Sequence, residues 1–128
     1  MEKKIQILLV DDEADFLESV SFWLKAKGYL VISASNGKEA IELVKSKHPD
    51  IVFLDIKMPQ MDGIEALRRI REFDSETPII MLTAYSDEKR ASQTQQLGIS
   101  GFFPKKADFT QLKNIIETTL RTHKKLRP

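Results

Sequence analysis

Residues 51–59, with the sequence IVFLDIKMP, decide the fold of this chain. Four apolar residues run directly into Asp55, and such a short, β-favouring run predicts a strand buried on both faces. Met58-Pro59 ends the strand, because proline cannot donate a hydrogen bond to a neighbouring strand, and Asp62-Gly63 predicts a turn. Asp55 is therefore expected at the carboxyl end of a central strand, where open α/β sheets bind ligands. Aspartate is also common in turns, so Asp55 alone does not distinguish a ligand site from a turn cap.

The rest of the chain repeats this pattern of strand and helix. Further short apolar runs occupy residues 5–10, 29–34, 79–82 and 101–103. Helical patterns occupy residues 12–27, 36–48, 64–73, 86–97 and 108–120. Such alternation predicts βαβ units with parallel strands and right-handed crossovers. The sequence thus predicts an α/β fold with one five-stranded parallel sheet.

Two helical patterns carry more specific expectations. In residues 64–73 the apolar positions, Phe73 among them, are expected to face inward, and the face bearing Arg68 to Arg71 is expected to be solvated. Residues 86–97 have few apolar anchors, chiefly Ala91 and Leu97. A helix with so few anchors should pack weakly and move easily.

Composition excludes several classes of protein. The chain has 128 residues, of which 41% are hydrophobic and 30% charged, as in a single soluble domain. It contains no cysteine, which excludes disulfides and thiolate metal sites, and its net charge of +1 argues against direct binding of nucleic acid. No apolar run approaches the roughly 20 residues that span a bilayer. The first apolar run is too short for a secretory signal, so a cytoplasmic location away from membranes is expected.

Charged and hydroxyl side chains follow the predicted strands. Because the carboxyl ends of parallel strands share one edge of a sheet, these side chains are expected to converge. Three carboxylates at such an edge repel, each close pair by about 4 kcal/mol at ~4 Å and an effective dielectric near 20, and so they need a cation. Oxygen ligands without His or Cys favour magnesium. The converging residues are Asp11, Asp12, Asp55, Thr83 and Lys105.

This combination suits phosphoryl transfer, in which positioning and charge neutralisation do most of the work. A carboxylate can act as the nucleophile and form an aspartyl phosphate, and Asp55 on the central strand is the best candidate. The simpler alternative is that Asp11, Asp12 and Glu13 are only acids that favour the start of a helix.

The motifs together resemble the receiver domains of two-component response regulators, the chemotaxis-regulator-like family. The resemblance rests on Asp11-Asp12, on the segment Leu54 to Pro59 with Asp62-Gly63, on Thr83-Ala84 and on Lys105. It covers residues from about 5 to 122. It implies a flavodoxin-like, doubly wound sheet of strand order 2-1-3-4-5 in a three-layer (βα)5 sandwich.

The resemblance also implies a role for each residue of the metal and acceptor site. Asp55 would be the phosphoacceptor, taking its phosphoryl group from a sensor histidine kinase or a phosphotransfer protein. Asp11, Asp12, Asp55 and the backbone carbonyl of Lys57 would bind Mg²⁺.

For the phosphate and the output, the resemblance implies a second set of residues. Thr83, Ala84 and Lys105 would contact the phosphoryl group, and Thr83 and Phe102 would form the switch that changes a partner-binding surface. That surface would act on a downstream effector domain or protein, with a phosphorylation-linked homodimer as one form. The chain would be a signalling receiver rather than an enzyme, and would assist its own magnesium-dependent phosphorylation and dephosphorylation.

One position departs from the family. The family usually has proline after the lysine, where this chain has Lys106. A non-proline cis bond costs about 2.5 to 4 kcal/mol, so the 105–106 bond is expected to be trans. The departure keeps open an interaction module that no longer depends on phosphorylation. A phosphohydrolase is a further alternative, although Lys57 stands where such an enzyme generally has a second acid.

The chain is expected to divide near its end. Residues 1–122 would form the receiver domain, and residues 123–128 would be a basic tail or the start of a linker.

Overall fold

Strands and helices alternate along the whole chain. The computed structural model describes residues 4–84, 90 and 92–126. Its elements are β1 (Gln6–Val10), α1 (Ala14–Ala26), β2 (Leu30–Ala34), α2 (Gly37–Lys47), β3 (Ile51–Asp55), α3 (Gly63–Arg71), β4 (Ile79–Thr83), a 3₁₀ helix (Ser92–Leu97), β5 (Gly101–Pro104) and α4 (Thr110–Leu126).

The five strands form one sheet in the order β2-β1-β3-β4-β5, and every pair is parallel. Both the order and the strand direction confirm the predicted fold. All five residues of β3 are buried, because this strand lies at the centre with helices on both faces. The carboxyl ends of all five strands therefore open onto one edge.

The side chains of successive strand residues pack alternately into two hydrophobic cores, one on each face of the sheet. Leu8 and Val10 of β1 pack with α2 and α3 on one face of the sheet, whereas Ile7 and Leu9 pack with α1 and α4 on the other. This alternation follows from the two-residue period of a strand. It yields the three-layer arrangement of helices, sheet and helices. No helix in the described ranges is both long enough and apolar enough to cross a membrane.

Side-chain caps fix where two helices begin. Asn36 Oδ1 accepts a hydrogen bond from the Glu39 N–H at 2.8 Å at the start of α2. Asp62 Oδ1 accepts one from the Glu65 N–H at 2.9 Å at the start of α3. Such a cap typically contributes about 1 kcal/mol to stability, and the second one also holds the loop that follows β3.

The helix predicted over residues 86–97 falls partly on residues that the structure describes, and there Arg90 is helical. Ser92–Leu97 form a 3₁₀ helix in which only Thr94 is buried, while residues 85–89 and 91 lie outside the described part of the chain. Leu97 is the only apolar residue of Ser92–Leu97, and it packs against the core on the α2 and α3 side. The short 3₁₀ form is common in such connectors.

The expectations for the end of α3 were partly wrong. Phe73 lies beyond the helix and is 43% exposed, with the Lys45 ammonium 4.9 Å from its ring. Arg68 and Arg69 are exposed as predicted, but Arg71 is only partly exposed. Its guanidinium donates to the carbonyl oxygens of Leu97, Asp74, Thr77 and Gly98 at 2.9 to 3.2 Å. Burial lowers the pKa of Arg71, but it remains a charged group that joins α3 to the end of the 3₁₀ helix.

Candidate functional site

A cleft opens at the carboxyl edge of the sheet, with a volume of about 440 Å³. This is much more than the roughly 30 Å³ that one water molecule takes up in the liquid, so a hydrated ion and a small anion both fit. It is lined by Asp12, Glu13, Asp55, Lys57, Met58, Pro59, Ala84 and Lys105. Five of the residues predicted for the site therefore meet in this cleft.

Asp55 is the last residue of β3, and it is only 3% exposed. Burial raises the pKa of this carboxyl to about 8, and the neighbouring negative charge of Asp11 adds to the rise. The Lys105 ammonium and a hydrogen bond from the Lys57 N–H act in the opposite direction but do not overcome it. A divalent cation beside these two carboxyls would therefore favour the ionised form of Asp55.

Asp11 lies beneath the cleft, fully buried at the end of β1. Its Oδ1 accepts the Glu13 N–H at 2.9 Å. Its Oδ2 is buried without a hydrogen bond of ordinary geometry, and its contact is an ion pair with Lys105 Nζ at 2.8 Å. A buried carboxylate oxygen with so little coordination is well suited to a cation.

The three predicted acids lie together. One carboxylate oxygen from each of Asp11, Asp12 and Asp55 lies within 4.8 Å of the other two. Asp12 is exposed, so the group is open to the cleft. A set made only of oxygen atoms fits a hard ion such as magnesium, as the sequence predicted.

Lys105 provides the positive charge of the cleft. Its Nζ lies 2.8 Å from Asp11 Oδ2 and 3.7 Å from Asp55 Oδ2, and it also contacts a carboxylate oxygen of Glu13. Although burial alone would lower the pKa of Lys105, its close contacts with the Asp11 and Glu13 carboxylates raise it overall, so the ammonium stays charged. The sequence did not reveal the role of Glu13, because it depends on the direction in which an exposed side chain turns.

The position of Lys105 is set by the backbone. Its N–H donates to the Thr83 carbonyl at 2.8 Å, which joins the ends of β4 and β5. Every peptide bond in the described ranges is trans, including the bond to Lys106, as predicted. With Lys106 in place of the family's proline, the ammonium still reaches the acidic group.

Gly63 supports the loop after Asp55 in a way that sequence reasoning missed. Its N–H donates to the Ile56 carbonyl at 2.7 Å. A Cβ atom at position 63 would lie 1.9 Å from the Asp55 carbonyl oxygen, far inside van der Waals contact. Only glycine can start α3 this close to the end of β3. The neighbouring Asp62 also pairs with Arg90.

Thr83 and Phe102 lie in different surroundings. Thr83 ends β4 beside the cleft and is partly exposed, next to Ala84 in its lining. Phe102 in β5 pairs with Met81 and packs, partly buried, against the core on the α2 and α3 side. Phe102 is therefore not a lining residue of the cleft, and its role in a switch remains a prediction.

Comparison with known proteins identifies the family. A sequence model described as the response regulator receiver domain matches residues 7–117. Sporulation initiation phosphotransferase F of Bacillus subtilis (strain 168) is 32% identical over 115 residues, which cover 90% of this chain and 93% of that protein. The regulatory protein AtoC of Escherichia coli (strain K12) is 35% identical over 116 residues, 91% of this chain. The chain spans only 25% of AtoC, so it matches one part of a longer protein.

Solved structures agree with the sequence relatives. A crystal structure of a response regulator receiver domain protein from Clostridium thermocellum superposes with a TM-score of 0.89 at 27% identity, over 95% of this chain and 98% of that one. A structure of NtrX from Brucella abortus in complex with ADP gives a TM-score of 0.91 at 28% identity, over 98% of this chain and 29% of that one. The chain thus belongs to the response regulator receiver domains of two-component systems.

Proposed function

We propose that this receiver domain accepts a phosphoryl group on Asp55 from the phosphohistidine of a sensor histidine kinase or a phosphotransfer protein. The observation that carries the proposal is the position of Asp55. Its carboxylate lies at the end of the central strand, 3.7 Å from the Lys105 ammonium and within 4.8 Å of the Asp11 and Asp12 oxygens. A nucleophile flanked by charge-neutralising groups is what phosphoryl transfer requires.

In the transfer, an Asp55 carboxylate oxygen attacks phosphorus, so a P–O bond forms as the P–N bond to histidine breaks. The imidazole leaves with the electron pair of the broken bond and takes up a proton. Asp55 must be ionised to attack, and the Lys105 ammonium both favours that form and binds the phosphoryl oxygens. The Thr83 hydroxyl donates a hydrogen bond to the same group from the end of β4, beside Ala84.

We assign Mg²⁺ to Asp11, Asp12, Asp55 and the Lys57 backbone carbonyl. The buried Asp11 Oδ2 and the closeness of the three carboxylates support this assignment. When bound, the ion supplies the positive charge that keeps Asp55 ionised and offsets charge on the transferring group. The chain's own contribution is the fixed placement of the oxygens.

The output follows from the added charge. Phosphorylation adds about −1.5 to −2 charges and strong hydrogen-bond acceptors, which draw Thr83 towards Asp55. Phe102 then moves with Thr83, and the surface formed by the 3₁₀ helix, β5 and α4 changes its affinity for a partner. That partner is a downstream effector domain or protein in the cytoplasm, and a phosphorylation-linked homodimer is one form of the active state. We expect this domain itself to contact neither nucleic acid nor membrane.

The proposed domain runs from residue 1 to 122, followed by a basic tail or linker at 123–128. Helix α4 continues through Leu126 without a break, so the first part of this tail extends the helix.

Mass spectrometry of the intact protein tests the proposal. After incubation with Mg²⁺ and acetyl phosphate, we expect one added phosphoryl group, which peptide mapping assigns to Asp55. Chelation of the metal and the Asp55→Ala substitution should both abolish it. Wild-type protein that stays unlabelled, or labelling that persists in Asp55→Ala, would overturn the proposal.

A further inference from the structure

Glu13 contacts the Lys105 ammonium, which would also have to bind a phosphoryl group on Asp55. A lysine ammonium has three N–H donors. Three carboxylates surround Lys105 Nζ, those of Asp11, Asp55 and Glu13. The Lys105 side chain is only 11% exposed, which leaves little access for another partner. Asp55 Oδ2, at 3.7 Å, lies beyond hydrogen-bond distance of Nζ. A phosphoryl group on Asp55 would therefore compete with Asp11 and Glu13 for the N–H donors of this ammonium.

We propose that Glu13 is a displaceable counter-ion of Lys105. It neutralises the ammonium in the unphosphorylated protein and gives up its place to a phosphoryl oxygen when Asp55 is phosphorylated. Glu13 thus acts as a positioning residue that works through Lys105 and sets how tightly the site holds a phosphoryl group. This inference rests on the proposed function of Asp55.

Exposure decides which carboxylate leaves. The Glu13 side chain is 64% exposed, whereas the Asp11 side chain is fully buried. A released Glu13 carboxylate is hydrated at once, but a released Asp11 carboxylate would be a buried charge without a partner, which is costly. Asp55 cannot leave because it carries the phosphoryl group.

The Glu13 side chain does not cap α1. It stands at the N-cap position of α1, yet its side chain accepts no capping hydrogen bond there. Its backbone N–H is held by Asp11 Oδ1, so the residue stays in place when its side chain turns away. Among the residues that the structure describes, release of the carboxylate therefore breaks only the contact with Lys105.

The expected effect is modest and has a definite sign. Glu13→Gln removes both the competing ion pair and a negative charge that would repel the phosphoryl group. We expect it to bind beryllofluoride, a mimic of the phosphoryl group on aspartate, about two- to five-fold more tightly than wild type, as befits a largely exposed ion pair. Glu18→Gln removes the same charge from an exposed position of α1 and serves as the matched control, with little change.

Isothermal titration calorimetry of beryllofluoride at saturating Mg²⁺ provides the measurement. The tighter binding of Glu13→Gln should disappear when Lys105→Met is added, because the two residues act through one contact. In the wild type, the Glu13 side-chain carboxyl resonance should shift when beryllofluoride binds. Equal affinity of wild type and Glu13→Gln, or an unmoved resonance, would overturn the inference while leaving Asp55 as the acceptor. No binding to the wild type would overturn the proposed function as well.

Discussion

The end of β3 and the connection between β4 and β5 belong to neighbouring parts of one sheet, but different interactions stabilise them. All five residues of β3 are buried, and the loop after it is clamped by the close approach of Gly63 to the Asp55 backbone. In the 3₁₀ helix only Thr94 is buried, and the end of this helix is held by hydrogen bonds from Arg71. Asp55 thus sits on a strand buried along its whole length, whereas the 3₁₀ helix is mostly exposed and joins the core through Leu97, with the Arg71 hydrogen bonds at its end.

The difference in holding forces suits a signalling domain. Apolar burial contributes about 25 cal/mol per Å² and is lost only when the core opens, so β3 should move little. A typical hydrogen bond contributes only about 1 kcal/mol net, so a segment held by a few of them can shift at small cost. In the proposed function, a phosphoryl group on β3 would shift the connection without disturbing the core.

Gly63→Ala should have the largest effect, because it disrupts the close approach of α3 to the end of β3. The added Cβ would lie 1.9 Å from the Asp55 carbonyl oxygen, and that oxygen belongs to backbone that cannot yield. We expect the free energy of unfolding to fall by about 4 kcal/mol or more, and phosphorylation of Asp55 to be lost. Urea unfolding and mass spectrometry measure the two effects.

Gly101→Ala is the matched control for this substitution. A Cβ there would meet Ile80 Cδ1 at 3.5 Å, which is an ordinary contact. A small effect at position 101 together with a large one at 63 would attribute the loss to the close approach. Equal effects at both positions would mean that the loop after β3 can adjust.

Asp55→Asn measures how much the buried charge of the Asp55 carboxylate destabilises the folded state. Because the pKa of Asp55 rises from 3.8 to about 8 on folding, the folded state holds a proton that the unfolded state has lost, and wild-type stability falls as pH rises between these values. Asparagine is neutral in both states and avoids this loss. Without metal, we expect Asp55→Asn to be more stable than wild type by roughly 3 kcal/mol near neutral pH, since one pKa unit corresponds to about 1.4 kcal/mol.

Urea unfolding at several pH values, in chelator, checks this prediction. The advantage of Asp55→Asn should shrink towards zero as the pH falls below about 3, where Asp55 is mostly protonated in both states. An advantage that stays constant with pH would mean that it arises from packing rather than from the carboxyl charge.

Arg71→Lys tests how far the Arg71 hydrogen bonds hold the end of the 3₁₀ helix. A lysine keeps the charge but cannot reach four carbonyl groups with the planar fork of a guanidinium. We expect a loss of about 1 to 2 kcal/mol of stability, and faster amide hydrogen exchange around the 3₁₀ helix with little change in β3.

Arg69→Lys is the control from the same helix. Arg69 pairs with Glu65 on the surface, where its side chain is 54% exposed, so an effect within about 0.5 kcal/mol is expected. If Arg71→Lys speeds amide exchange in β3 as much as in the 3₁₀ helix, the two regions unfold as one cooperative unit. They are then not held independently of each other.

Arg71 also marks where sequence reasoning stops. The strands were predictable because each buried strand is a short apolar run, and the acids and Lys105 were predictable because they follow directly after such runs. Arg71 stands among other arginines on α3 and binds carbonyl groups of residues 26 and 27 positions further along the chain. Backbone carbonyls carry no sequence signal, so nothing in the pattern separates Arg71 from its solvated neighbours.

The same reason accounts for the other residues that were missed. Gly63 was predicted as a turn residue, but its closeness to the Asp55 backbone depends on the exact path of the loop. The contact of Glu13 with Lys105 depends on the rotamer of an exposed side chain. Burial patterns predict which residues reach the edge of the sheet, whereas three-dimensional geometry decides which of them touch.

Thr83 lies at the end of β4, between the two regions. Because it is partly exposed, Thr83→Ala should lower the free energy of unfolding by less than about 1 kcal/mol. Its expected effect is on communication. Acetyl phosphate should still label Asp55 in Thr83→Ala, since the nucleophile and Lys105 are intact, but the change in amide exchange around the 3₁₀ helix on labelling should be largely lost. Thr83→Ser keeps the hydroxyl and should retain that change. If both variants respond to phosphorylation as the wild type does, the signal leaves β3 by a route that does not use the hydroxyl of residue 83.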